Sequence, residues 1–559
     1  MRDEVTTALS PLPEGEGEHV SNMGFSAIDY GVLLLYLAGI TIFGVMFRKS
    51  QRTVKDYFLG DRNTSWVVIS LSIVATETST LTLIGVPALA YANYAKPEQG
   101  GNFTYLQVVL GYIVARIIIS LLFIPAYFRG NLLTAYELLK NRFGVKTKNF
   151  AASLFLVMRA LAEGVRVFAA SLVLSAVLSA SLPGLPYLWL WSIIIVGVLT
   201  LVYTFEGGIA AVIWTDLIQL VIYIGGSLLA AYELVHLVPG GWHEIAAQAS
   251  AANKFQLVSF KLDFSVPFTF WAGLLGGTFL TMASHGTDQL LVQRLLTCRN
   301  QRDSQKAIIL SGFVVLFQFA LFLTIGVMLY AYYQHAPLQD PELAATKCVA
   351  SKIITCDVIF PRFIVQQLPH GISGLVIAAI FAAAMSNLSG SLNSLSSSTV
   401  LDLYKPLIKP HATDGELLKL SRWLTAAWGI VLIGIAMLAS SWGSVFTTGL
   451  TIASLVYGPM LGAFLLGVLT KRANQTGVMI GMASTLVVMI FIKFNGVGLQ
   501  WASAKFQFQP TAWMGWLAAH TNIAWTWYVL IGTVICCSIG YVTSLLAKTK
   551  QTDFIAAES

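Results

Sequence analysis

Residues 375–404 read LVIAAIFAAAMSNLSGSLNSLSSSTVLDLY, a stretch long enough to cross a bilayer whose second half is loaded with hydroxyls. A helix in lipid gains little from serine unless the bundle needs close packing or oxygen ligands. Ala383, Ser386, Ser389, Asn393 and Ser397 recur at steps of three or four, so they share one helical face. Small neutral oxygens at bilayer depth suit a small hard cation such as Na+, whose lost water must be replaced by several oxygens at once. The alternative is that these serines only let helices approach closely. The stripe therefore points to transport before catalysis.

The rest of the chain fits that reading. Of 559 residues, 56% are hydrophobic and only 11% charged, and mean hydropathy is +0.72. A soluble chain carries about a quarter charged residues, so this is an all-α polytopic membrane protein. Apolar runs of about 20 residues predict about 13 transmembrane helices. Connections around 48–62, 129–148, 294–306, 405–422, 471–472 and 548–550 hold 22 of the 34 Lys and Arg and fall on one face. That asymmetry places the N-terminus outside and the C-terminus inside a plasma membrane, the inner membrane if the source is bacterial. It also accounts for the net charge of +7, and nothing suggests nucleic acid. The acidic residues 1–24 read as an external tail and 548–559 as a cytoplasmic one. Cys348 and Cys356 share an external loop and are candidates for a disulfide.

Two spans are interrupted. The second, SIVATETSTLTLIGVPALAY, is polar in its middle and carries Gly85 and Pro87. The seventh, WAGLLGGTFLTMASHGTDQ, is expected to break among Gly276, Gly277, Thr278, Thr281, Ser284 and His285. Broken helices at matching positions are the mark of an inverted repeat. The plan is then LeuT-like, 5+5: an extra helix at 25–47, one half at 64–235, a second at 266–470, and two further helices within 475–547.

Four blocks in order carry a family resemblance: YTFEGGIAAVIWTDLIQ (203–219), GTDQLLVQRLL (286–296), AAAMSNLSGSLNSLSSSTVLDLY (382–404) and YGPMLGAFLLGVLTKRAN (457–474). They resemble the sodium/solute symporter family, which includes sodium-coupled sugar, proline, sialic acid, monocarboxylate and vitamin transporters. The resemblance implies alternating access and Na+ as coupling ion. It places Na+ at the carbonyls of Ala75, Thr78 and Ala383 with Ser386 and Asn387, where relatives usually have Ser or Thr at the Asn387 position. In some relatives a second Na+ is held by an aspartate, here Asp216, with Ser386 and Ser389; Gly390 stands where another hydroxyl is expected. Asp216 reads equally as a helix-end acid paired with a nearby Arg or Lys.

The charges inside the spans are the other candidates. Glu77, mid-membrane, either binds Na+, carries a coupling proton, grips a substrate amine, or pairs structurally with a buried arginine. Arg159, Glu163 and Arg166 put plus, minus, plus on one helical face, which predicts a spare cation, Arg166, either to receive a substrate carboxylate or to answer Glu77. The solute cavity is expected among Thr76, Glu77, Ser79, Thr80, Thr82, Gln107, Thr281, Ser284 and His285. The solute reads as a small polar metabolite, a carboxylate or zwitterion. The eight histidines show no metal-ligand spacing, against a membrane enzyme. A proton-coupled transporter of the same fold is the closest rival; a transporter-like sensor is less favoured.

Overall fold

The computed structural model describes residues 25–46, 53–60, 63–129, 132–181, 187–336, 356–439, 442, 445–506 and 523–547. Both tails and Cys348 lie outside them. Cys356 is disulfide-bonded, while Cys298, Cys536 and Cys537 are free thiols.

Helix α1 (Ala27–Val45) opens on a capping box in which Ser26 and Asp29 satisfy each other's backbone N–H. Asp29 also accepts from the N–H groups of Gly371 (2.7 Å) and Gly374 (2.8 Å). One carboxylate thus closes the start of α1 and supplies acceptors at the start of the serine helix. The second span is broken: α2 (Trp66–Glu77) and α3 (Thr80–Tyr91) meet at 63°, with Thr78 and Ser79 extended between them. Pro87 lies inside α3, away from the break.

Helices α4 (Leu106–Arg129), α5 (Val145–Ser181) and α6 (Leu188–Leu237) complete the first half. The 50-residue α6 is two spans joined at Gly208, whose φ of 56° only glycine adopts easily. After the short helix α7 (Gly241–Ala251), a π-helical turn at Ala272–Gly276 leads into α8 (Gly277–Gly286), and α9 (Gln289–Leu296) follows. The chain leaves the helix at Thr287 and re-enters at Asp288, two residues past His285, the last residue expected to break it, and not at Gly276 and Gly277. Those glycines serve packing instead. A Cβ at Gly277 would stand 2.5 Å from the Val108 carbonyl, and one at Gly273 2.6 Å from the Gln107 backbone.

The second half continues with α10 (Gln301–His335), the serine helix α11 (Ile372–Ser398), α12 (Asp414–Ala439) and α13 (Val445–Leu469); α14 (Gln475–Phe506) and α15 (Tyr528–Leu546) follow. Among the described residues nine helices are long and apolar enough to cross a membrane, ten with the bent pair. Hydropathy passes over α5, which carries Arg159, Glu163 and Arg166. Of the nine, α11 is the most enclosed: 89% of its apolar stretch is buried, against 22% for α1. It packs chiefly on α6, and also on α1, α5, α12 and α2. A serine-rich helix at the centre of the bundle is where its hydroxyls find partners.

Candidate functional site

The break between α2 and α3 brings unwound backbone against the middle of α11. Ala75, Thr78, Ala383, Ser386 and Asn387, the expected Na+ ligands, are all buried around it. Thr78 Oγ1 donates to the Val74 carbonyl (2.8 Å) and accepts from Gln318 Nε2 on α10. Asn387 reaches across to the broken helix, its Nδ2 donating to the Thr76 carbonyl.

Ser386 and Asn387 are adjacent and face different neighbours. Ser386 Oγ donates to Asp216 Oδ1 (2.6 Å). Asp216, fully buried, also accepts from Ser72 Oγ (2.6 Å), Thr76 Oγ1 (3.2 Å) and the Arg294 guanidinium (2.9 Å). Ser389 turns its hydroxyl back to the Ser386 carbonyl (3.0 Å) and does not contact Asp216. The position facing this carboxylate is taken by Arg294, which fits because residue 390 is glycine: a Cβ there would lie 2.7 Å from Arg294 Nη2. Asp216 is thus a partnered acid in this conformation.

Between the two halves lies a cavity of about 120 Å³. Thr76, Glu77, Ser79, Thr82, Arg166, Thr281, Ser284, His285 and Asn387 line it, with Tyr105, Tyr112, Arg159, Phe319 and Tyr457. Two expected lining residues stand elsewhere. Gln107 is spent on the Thr104 and Phe268 carbonyls (3.0 Å each) and the Ser259 N–H (3.0 Å). Thr80 is buried at the first turn of α3 and does not line the cavity.

The ionisable residues pair in a way that their order along the chain does not suggest. Glu77 pairs with Arg116, whose Nε donates to Ser311 Oγ (3.1 Å). His285 Nε2 lies 3.2 Å from Arg116 Nη2 and 3.4 Å from Glu77 Oε2, and its Nδ1 lies 2.8 Å from Ser284 Oγ. Nε2 thus faces both a guanidinium, which only donates, and a carboxylate, which only accepts. Arg159 does not share Glu163. It pairs with Asp288 at the second break, where Tyr457 Oη also donates (2.7 Å). Glu163 is left to Arg166 (3.0 Å) and Ser391 (2.8 Å). The spare cation expected on α5 is therefore corrected: an acid two helices away takes up the first arginine. Four arginines answer four acids. Among the described residues Arg159 bonds only through Nη2 and Arg166 only through Nη1, and the buried Nε of each has no partner.

Sequence reasoning missed Arg294, Gln318, Asp288 and Tyr457. The available signal was parity: each acid at bilayer depth demands a cation nearby.

Residues 57–484 match the sodium:solute symporter family. The chain belongs to that family. It is 28% identical to a sodium/sialic acid symporter of Aliivibrio fischeri, covering 94% of each chain. It is 29% identical to the human sodium/iodide cotransporter over 84% of its own length and 70% of that protein's. A solved Na+-coupled sialic acid symporter, substrate-bound and outward-open with a novel Na+ site, superposes with a TM-score of 0.77 at 28% identity, covering 94% of this chain and 98% of that one. The LeuT-like architecture and the multi-pass membrane character follow. So does sodium-coupled transport in place of enzyme, proton-coupled or sensor function.

Proposed function

We propose that the protein couples inward movement of one Na+ to uptake of a small carboxylate by alternating access, with its N-terminus outside and its C-terminus inside. The observation that carries the reading is the pair of arginines on α5. Arg159 and Arg166 both line the cavity, and each bonds through only one terminal nitrogen, which leaves donors beyond its acid partner. A guanidinium edge with unspent donors suits a carboxylate. Relatives named for sialic acid and iodide take anions, which agrees.

Charge decides why the two cargoes travel together. With Glu77, Glu163, Asp216 and Asp288 each opposite an arginine, the site is balanced before anything binds. An anion alone would leave an uncompensated charge in a low-dielectric interior. Na+ held at the α2–α3 break by Ala75, Thr78, Ala383, Ser386 and Asn387 supplies the missing cation. Size narrows the solute. A 150 Å³ cavity in another protein admits benzene, so about 120 Å³ favours a short monocarboxylate over a nine-carbon sugar acid.

Thermal shift of the purified protein in NaCl against KCl tests this, with potassium salts of acetate, lactate, nicotinate and N-acetylneuraminate and with proline and glucose. A ligand of the folded state raises the melting point by mass action. The expected result is stabilisation by a small carboxylate only when Na+ is present, weakened in Ser386→Ala. Stabilisation by glucose or proline alone, or indifference to Na+, overturns the reading.

A further inference from the structure

Asn387 sits where the ion side and the solute side of the site meet, and its amide is shared between them. Nδ2 donates to the Thr76 carbonyl in the unwound stretch, while Oδ1 accepts from Arg166 Nη1 at 3.4 Å. This orientation is forced. A carbonyl can only accept and a guanidinium can only donate, so turning the amide over would set acceptor against acceptor and donor against donor. Asn387 is only 2% exposed, so water does not substitute for either partner. Serine or threonine there has one oxygen and no amide N–H, and is too short to reach both sides.

Resting on the symport reading above, we infer that Asn387 is the positioning residue through which Na+ and solute are coupled, its single amide oxygen being contested by Na+ and Arg166. Without Na+, Oδ1 holds Arg166 against α11, beside Glu163. A cation at the break needs that oxygen and repels an amide N–H, so its arrival turns Oδ1 toward the ion and withdraws it from Arg166. The N–H released on Nη1 is then free for a carboxylate to accept, beside an Nη2 that makes no bond among the described residues. Solute capture by Arg166 equally leaves Oδ1 to the ion, so each cargo favours the other by the same factor, as linkage demands.

This predicts an antagonism that is measurable with no solute present. Arg166→Lys keeps a cation beside Glu163 but has no planar fork to reach Asn387 as well. We expect it to lower the half-saturating Na+ concentration about fivefold, the low end of couplings between sites. Asn387→Ser removes the contested oxygen, so adding Arg166→Lys to it should leave the Na+ midpoint unchanged. The experiment is a NaCl titration of the full-length protein at constant ionic strength with KCl, read by intrinsic fluorescence, on the wild type, both single variants and the double. Melts in KCl confirm that each is folded, and Arg166→Gln repeats the cycle if the lysine variant is not. An equal effect of Arg166→Lys in both backgrounds would be plain electrostatics and overturns the inference, as does no effect in either. A wild type that ignores Na+ overturns the symport reading with it. A wild type that binds Na+ and shows the cycle, yet responds to no carboxylate, leaves the inference standing and removes only the proposed solute.

Discussion

Replacing Glu77 by glutamine keeps the side chain's shape and removes its charge, which isolates what that charge holds. Its partner Arg116 is 1% exposed, and among the described residues its other hydrogen-bond partners are Ser311 and His285, neither of them an anion. Once the carboxylate is gone, a guanidinium stays buried with no counter-charge, a situation that costs about 3–5 kcal/mol. The conformational role compounds this: Glu77 is the last residue of α2, so the pair also ties the broken span to α4. At the low end of about 2 °C per kcal/mol for a long chain, the apparent melting temperature should fall by about 6–10 °C in KCl, where Na+ cannot mask the loss. Neutralising Arg116 as well removes the stranded charge, and Glu77→Gln/Arg116→Gln should recover most of that drop, since buried pairs are often replaceable at little cost. Differential scanning fluorimetry of the four proteins decides it. If Glu77→Gln melts within 2 °C of wild type, or the double falls as far as the single, the pair does not hold the break and Glu77 is free for the ion or the solute.

Two other perturbations probe the surroundings. Gly390→Ser adds a Cβ 2.7 Å from Arg294 Nη2 and 2.9 Å from Leu290 Cδ1; overpacking of this kind costs about 1–3 kcal/mol, so its melting point should drop by several degrees, whereas an unchanged melting point with a steeper Na+ dependence would mean that Arg294 readily gives up Asp216. Lys254, in the loop after α7, is fully buried and donates to the carbonyls of Ala90 (3.0 Å), Tyr91 (2.8 Å) and Ala92 (2.9 Å) at the end of α3. Burial pushes its ammonium down to about 7. The unfolded chain keeps that proton up to about pH 10.4 and so binds more protons between the two values, which makes stability rise with pH across that window. Melts from pH 6 to 9.5 should therefore climb in wild type relative to Lys254→Met; parallel curves would show that the amine does not titrate there.

Much of this architecture was legible because it follows from a one-dimensional rule. Span length and the serine stripe of α11 depend on local composition, and they led to the fold. The first break was also readable, because Thr76, Glu77, Thr78 and Ser79 crowd polar groups into lipid depth. The second was misplaced because glycine has two uses that sequence alone cannot separate. At Gly276 and Gly277 it permits close helix contact, and the backbone opens at Thr287, directly after Gly286. Pairing was the least legible layer. Helical spacing set Arg159 against Glu163, but Asp288 is brought to Arg159 by the fold and wins through closer contact, with Tyr457 added.

The arrangement around α11 bears on how many ions move. Consecutive residues on a helix point about 100° apart, so Ser386 and Asn387 open onto different compartments. On the Ser386 side the cation is covalently part of the protein: Arg294 lies 2.9 Å from Asp216, in space that Gly390 leaves open. A tethered guanidinium satisfies the buried acid permanently and cannot be carried across. On the Asn387 side no described residue brings a positive charge onto the unwound carbonyls. An amide N–H answers Thr76, a weak donor that a mobile cation can displace. One fixed and one exchangeable cation then flank the same helix, and the exchangeable one adjoins the arginine proposed to receive the solute. Such a division favours one Na+ per transport cycle, and a Hill coefficient near 2 for Na+-driven uptake would contradict it.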